Sequence, residues 1–198
     1  MRVKQPDLRY FLAYAVFFVV IVWVFYEVPS RAIEELTARL SAGLLGAFGL
    51  AASWSSTDGS PMLFLDGQRD ITVSIIRECT ALNIVGVMVG LILPLRDSAI
   101  ARLKGIVLSS VLLFSLNVPR IALTIYLSAF DTWPFSLVSY SGLETYHYPI
   151  SFAFGVVGVA VTVLAVSAWT TPGLADTLVG FVEGGRHLLI SAVRKLIR

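Results

Sequence analysis

The chain has 198 residues, 57% hydrophobic and 14% charged, with a formal net charge of +2 and a mean hydropathy of +0.81. That hydrophobicity excludes an ordinary soluble domain, and so small a net charge gives no ground for a nucleic-acid partner. A single cysteine excludes an internal disulfide and any CxxC metal or redox motif. Residues 1–198 read as one membrane-embedded domain with no metal or cofactor implied.

About 20 helical residues cross a hydrocarbon core of roughly 30 Å. In chain order, the first run of that kind is Tyr10–Val28. It is longer than a signal-peptide core of about 7–15 residues and no A-x-A site follows, so it reads as a retained span. Next comes Ile33–Ser53, whose front half (IEELTAR) is charged and whose back half (LSAGLLGAFGLAAS) is rich in small residues. This predicts an interfacial or re-entrant helix rather than a fifth span. The segment MLFLDGQRDITVSII follows, with Ile71, Val73 and Ile75 alternating with Thr72 and Ser74. Asp66-Gly67 suits a type I′ turn, which predicts a short β-hairpin leading into Cys79.

Three further spans are predicted at Cys79–Leu95, Gly105–Leu127 and Pro149–Trp169. The tail (LADTLVGFVEGG, then RHLLISAVRKLIR) reads as a basic amphipathic helix over about residues 173–198, set off by Pro172-Gly173 and broken at Gly184-Gly185. The fold class is therefore all-α and integral to the membrane. It comprises about four transmembrane helices, an interfacial or re-entrant helix and a short extracytoplasmic hairpin.

Lysine placement sets the orientation. Lys4, Lys104 and Lys195 fall in the amino-terminal tail, the Arg96–Lys104 loop and the carboxy-terminal tail, which four spans put on one side. By the positive-inside rule that side is the cytoplasm. The hairpin region and the loop Ser128–Tyr148, which has no Lys or Arg, then face outward. A fifth span at Ile33 would break this agreement.

With that topology three chemically distinctive residues reach the outer boundary. Cys79 opens the second span, Arg120 (SLNVPRIALT) lies about two turns inside the outer end of the third, and His147 (ETYHYPISF) precedes the fourth. Helical spacing groups Cys79 with Asn83, Gly86 and Gly90, and Arg120 with Asn117 and Thr124. His147 groups with Ser151, Gly155, Gly158 and Thr162 if the helix extends back to it. Small and polar faces of this kind are where membrane helices pack on one another. A lone cysteine in an apolar helix is ordinarily packing. An intramembrane arginine is costly unless partnered and marks a functional site by default, the bland reading being a pair with Glu78 or Glu144. Pro119 removes a helix donor beside it. Asp131 and Glu144 read as loop acids, and His187 carries no role.

As a set the three residues fit acyl-transfer chemistry. A histidine takes a thiol's proton, the thiolate attacks an amide carbonyl, a fixed cation stabilises the oxyanion, and the histidine protonates the leaving amine. No carboxylate is clearly placed to orient the histidine, and Asn83 and Asn117 are the candidate supporting residues.

At these residues the sequence resembles the exosortase/archaeosortase family of membrane transpeptidases. The resemblance rests on the ordered set REC-T-A-L opening one span, N-x-P-R inside the next and an isolated H before the last, over about Cys79–Thr162. It implies that Cys79, Arg120 and His147 are catalytic. The implied substrates are membrane-anchored proteins with a carboxy-terminal motif, a transmembrane helix and a basic cluster. They would be cleaved through a Cys thioester and passed to a lipid or glycan acceptor. Ala81 departs from the glycine that many members carry two residues after the cysteine. Two other readings stay open at this level. One is a non-enzymatic membrane subunit or small transporter with Arg120 as ligand contact. The other is a membrane thiol acyltransferase.

Overall fold

A computed structural model describes residues 8–56, 59–130 and 143–181. The basic half of the tail beyond 181, Lys4, Lys195, Asp131 and most of the loop before Leu143 lie outside the described residues, as does the side chain of Glu144.

Helix α1 (Leu8–Glu27) is apolar on nearly every side. It stops two residues before Pro29, whose ring disfavours helical backbone in the residue ahead of it. Helix α2 (Arg31–Ala47) turns Glu34, Thr37, Ala38, Ser41, Ala42 and Leu45 inward. It ends in a Schellman motif: Gly49, at φ +78°, donates to Gly46 O at 2.9 Å, and Leu50 N donates to Leu45 O at 3.2 Å. The helix expected over Ile33–Ser53 is thus shorter at its carboxy end. Its last residues form strand β1 (Ala52–Ser55) instead.

Strands β2 (Met62–Leu65) and β3 (Ile71–Ser74) pair antiparallel, with Leu65 opposite Ile71. β1 pairs with β2, giving a three-stranded sheet in the order β1-β2-β3. Two expectations are corrected here. The expected hairpin is present as β2 and β3 but gains a third strand, β1, because the polar stretch ASWS supplied no alternation strong enough to predict one. Asp66-Gly67 is not a two-residue type I′ turn. Residues 66–70 form a longer loop seated on the last turn of the helix Ala99–Phe130, where Gly67 comes so close that a Cβ would lie 2.9 Å from Ala129 Cβ.

After a 3-10 turn (Arg77–Cys79) comes α3 (Leu82–Ile92), then α4 (Ala99–Phe130) and α5 (Leu143–Trp169). Among the described residues three helices are long and apolar enough to span a bilayer: Arg9–Glu27, Ala99–Phe130 and Thr145–Trp169. With eleven residues α3 is about 16 Å long, short of the roughly 30 Å core. Cys79 therefore stands ahead of the helix it was expected to open, outside the membrane-spanning segments. Residues 173–181 form a further helix, whose Phe181 ring packs edge-on against Phe11 and Tyr14. This half of the tail is docked on α1, not laid freely on a surface.

α4 is the central element, in contact with α2, α3 and α5, while α3 also packs along α1. One core lies between the sheet, α2 and the carboxy-terminal half of α4: Leu63, Leu65, Ile75, Ala38, Leu45, Ile121 and Ile125. A second joins α1, α3, α4 and α5 at the opposite end through Tyr14, Met88, Ile92, Leu113 and Val166. Tyr10 and Tyr14 on α1 donate to the carbonyls of Pro94 and Leu91. The amino end of α1 is thereby fixed beside the carboxy end of α3. The sheet, the 3-10 turn, the carboxy ends of α1 and α4 and the start of α5 gather at the other end.

Candidate active site

The turn that carries Cys79 is built by its neighbours. Ile75 is fully buried in the sheet core, and Ile75 N donates to Pro61 O at 2.7 Å, closing the strand edge. Cys79 N then donates to Ile76 O at 2.8 Å and Thr80 N to Arg77 O at 2.9 Å. Thr80 Oγ1 accepts from Leu82 N at 3.2 Å, supplying an oxygen to one of the orphan donors at the start of α3. Ala81 sits at φ −79° and ψ 0°, a conformation with no need of glycine, so a methyl is accommodated without strain.

Arg77 anchors this turn to α1. Its guanidinium donates to the carbonyls of Val28 (2.6 Å) and Phe25, which end α1, and to Asn83 Oδ1 at 3.0 Å. Asn83 thus holds Arg77 in place; the expected face shared by Cys79 and Asn83 does not exist, because Cys79 precedes the helix. Gly86 and Gly90 of the same expected face are taken by α1, where Cβ atoms would meet Phe25 at 2.6 Å and Phe18 at 2.9 Å.

From α4, Asn117 and Arg120 reach the backbone of the cysteine. Asn117 Nδ2 donates to Cys79 O at 2.9 Å and Arg120 Nη2 donates to the same oxygen at 3.2 Å. Arg120 Nε donates to Asn117 Oδ1 at 3.1 Å and Nη1 to Ser151 Oγ at 2.7 Å. A guanidinium carries five N–H donors. Three are engaged among the described residues, and two on the terminal nitrogens stay available. The carboxylate pair weighed for Arg120 is not formed with Glu78. Its partners are an amide, a hydroxyl and a peptide carbonyl, which offset the cost of holding a cation among apolar helices.

Helix α5 starts at Leu143, so His147 lies within it and shares a face with Ser151 one turn on. Cys79, Arg120 and His147, together with Ile75, Thr124 and Leu143, line one cavity of about 20 Å³, the room of roughly one water. The three residues singled out from sequence meet there from three separate elements. A second, larger cavity of about 220 Å³ also reaches Arg120 and is lined from α3, α4 and α5. It is lined by Asn83, Asn117, Ser151, Gly155 and Gly158 among others. Ser151 is the contact the sequence reading did not single out; its only signal was the spacing that put it on the face of His147.

The cysteine is half-buried and free, with its sulfur 4.0 Å from Ser74 O. Burial pushes its thiol pKa up. The Ile76 backbone bond and the Arg120 charge pull it back, and the charges of Glu78 and Glu34 oppose them. The thiol is therefore mostly protonated at neutral pH, and a nucleophilic role demands a base beside it. Among the described residues no group of three or more His, Cys, Asp or Glu is arranged to hold a metal ion.

A family model described as transmembrane exosortase matches residues 7–139, more than half of the chain. The match takes in Cys79, Asn117 and Arg120 and ends short of His147. No curated protein and no solved structure matches the chain. The chain belongs to the transmembrane exosortase family and is a multi-pass membrane protein.

Proposed function

We propose that this transmembrane exosortase is a cysteine transpeptidase that cleaves a carboxy-terminal sorting signal and transfers the protein to a lipid or glycan acceptor. The observation that carries this reading is the single cavity lined by Cys79, Arg120 and His147. His147 takes the thiol proton and Cys79 Sγ attacks the substrate carbonyl, forming a C–S bond. Arg120 steadies the resulting oxyanion with its two remaining donors. The C–N bond breaks as His147 returns the proton to the leaving amine, and a thioester remains. An acceptor hydroxyl or amine then attacks the thioester, giving its proton to His147, and as the C–S bond breaks His147 passes that proton to the departing sulfur, restoring the free thiol. Asn117 and Asn83 support the site by holding Cys79 O and Arg77.

The substrate's transmembrane helix is the expected partner of the membrane-embedded helices, with its basic cluster on the same cytoplasmic side as this chain's own basic segments. In this reading α3 with the residues that follow it completes a fourth crossing, and the turn of Cys79 lies at its outer end. The sheet end is then extracytoplasmic and both termini are cytoplasmic, in accord with Arg9, Arg96, Arg102 and Lys104 at the end away from the sheet. The deciding experiment is Cys79→Ala in cells making a tailed substrate. Processing is expected to fall to background while the protein remains inserted, with substrate captured as a thioester on the wild-type cysteine. Unimpaired processing by Cys79→Ala would overturn the reading. A fatty chain in place of a peptide on Cys79, seen by mass spectrometry, would mark an acyltransferase instead.

A further inference from the structure

Ser151 occupies a place that packing alone does not explain. Its Oγ accepts from Arg120 Nη1 at 2.7 Å, one turn beyond His147 on α5. The other anchors of that guanidinium are Asn117 Oδ1 on α4 itself and the carbonyl of Cys79. The Arg120–Ser151 bond is a polar link between the helix of His147 and the cation gripping the cysteine's backbone. Hydrogen bonds with a charged partner are shorter and stronger than neutral ones, and a low-dielectric setting raises the cost of leaving one unmade.

We propose that Ser151 is a positioning residue for this reaction: its hydroxyl ties α5, and with it His147, to the guanidinium that holds the Cys79 carbonyl. The inference rests on the transpeptidase reading only for the use to which the thiol is put. The groups facing Cys79 are Glu34 from α2, Glu78 from its own turn, Arg120 from α4 and His147 from α5. Without Ser151 the Nη1 donor is unpaired. The guanidinium turns to find another partner, and the one cation among these groups moves off the thiol.

The test uses the full chain in lipid nanodiscs and the rate at which iodoacetamide alkylates its single cysteine, followed from pH 6 to 11. Ser151→Ala is expected to slow alkylation at pH 8 about threefold and move the profile upward, the effect of roughly half a pKa unit on the thiolate fraction. Ser151→Thr keeps the oxygen and restores the wild-type profile. In an Arg120→Lys background, where the forked contact is already lost, Ser151→Ala adds nothing further. A Ser151→Ala profile that superposes on wild type would overturn the proposal. So would a loss that Thr does not restore, or one that persists undiminished beside Arg120→Lys. The readout needs no substrate, so it stands apart from the processing result for Cys79→Ala.

Discussion

The guanidinium of Arg120 holds the carbonyl of Cys79, not its sulfur. At rest it fixes the nucleophile's backbone, and through its charge it also lowers the thiol pKa against the larger effect of burial. The signs give a pH prediction. Because the net shift is upward, alkylation of Cys79 is expected to reach its midpoint above the ~8.5 of an ordinary thiol. Arg120→Gln removes a lowering charge and moves the midpoint further up; Glu78→Gln removes a raising one and moves it down. A midpoint at or below the ordinary value would contradict this account. For activity, Arg120→Lys keeps the charge but loses the fork, and kcat is expected to fall on the order of 10²–10³, as when an oxyanion donor is lost. The residue types Cys, Arg and His were legible in the sequence because each is anomalous at a membrane boundary. Ser151 was not, because a serine in an apolar helix is unremarkable until its partner is known.

Two glycine-bearing faces look alike in sequence and differ in the fold. Gly86 and Gly90 let α1 approach α3, with Phe25 and Phe18 occupying the space a side chain would need. At Gly155 a Cβ would meet nothing within 4 Å, because α5 faces the cavity beside Arg120 there. Gly86→Val is expected to destabilise the protein by about 1–3 kcal/mol through overpacking. Gly155→Ala is expected to be neutral within about 0.5 kcal/mol, or to gain slightly from the helix preference for alanine. Thermal unfolding of the two variants in nanodiscs checks this, and equal shifts would refute it. The same contrast explains where element boundaries were misread. Helix periodicity extends an apolar run back to Cys79, but a 3-10 turn and Thr80 end the helix at Leu82. The DG pair reads as a tight turn, but docking against Ala129 holds it in a five-residue loop.

Across the described residues, α4 is the frame on which the turn of Cys79 and the helix of His147 meet, through Arg120. The sheet and α2 cover its carboxy-terminal half. The proposed orientation is checked by placing single cysteines in a Cys79→Ala background. Asp70→Cys in the sheet loop is expected to react with an impermeant maleimide added outside intact cells, and Ser98→Cys only after the membrane is opened. The reverse pattern would invert the topology. Hydrophobic run lengths by themselves determined that this is a multi-pass membrane protein, because crossing a bilayer demands long apolar helices whatever else the chain does. They also located α1, α4 and α5, with the amino ends of α4 and α5 each beginning six residues earlier than expected. Only the tertiary structure decided that Cys79 sits in a turn ahead of its helix and that β1 completes a sheet. It likewise decided that Arg120 grips the Cys79 carbonyl and Ser151. Those features depend on contacts between residues 7 to 41 positions apart in the chain. A periodicity of 3.6 or 2 carries no information about such partners.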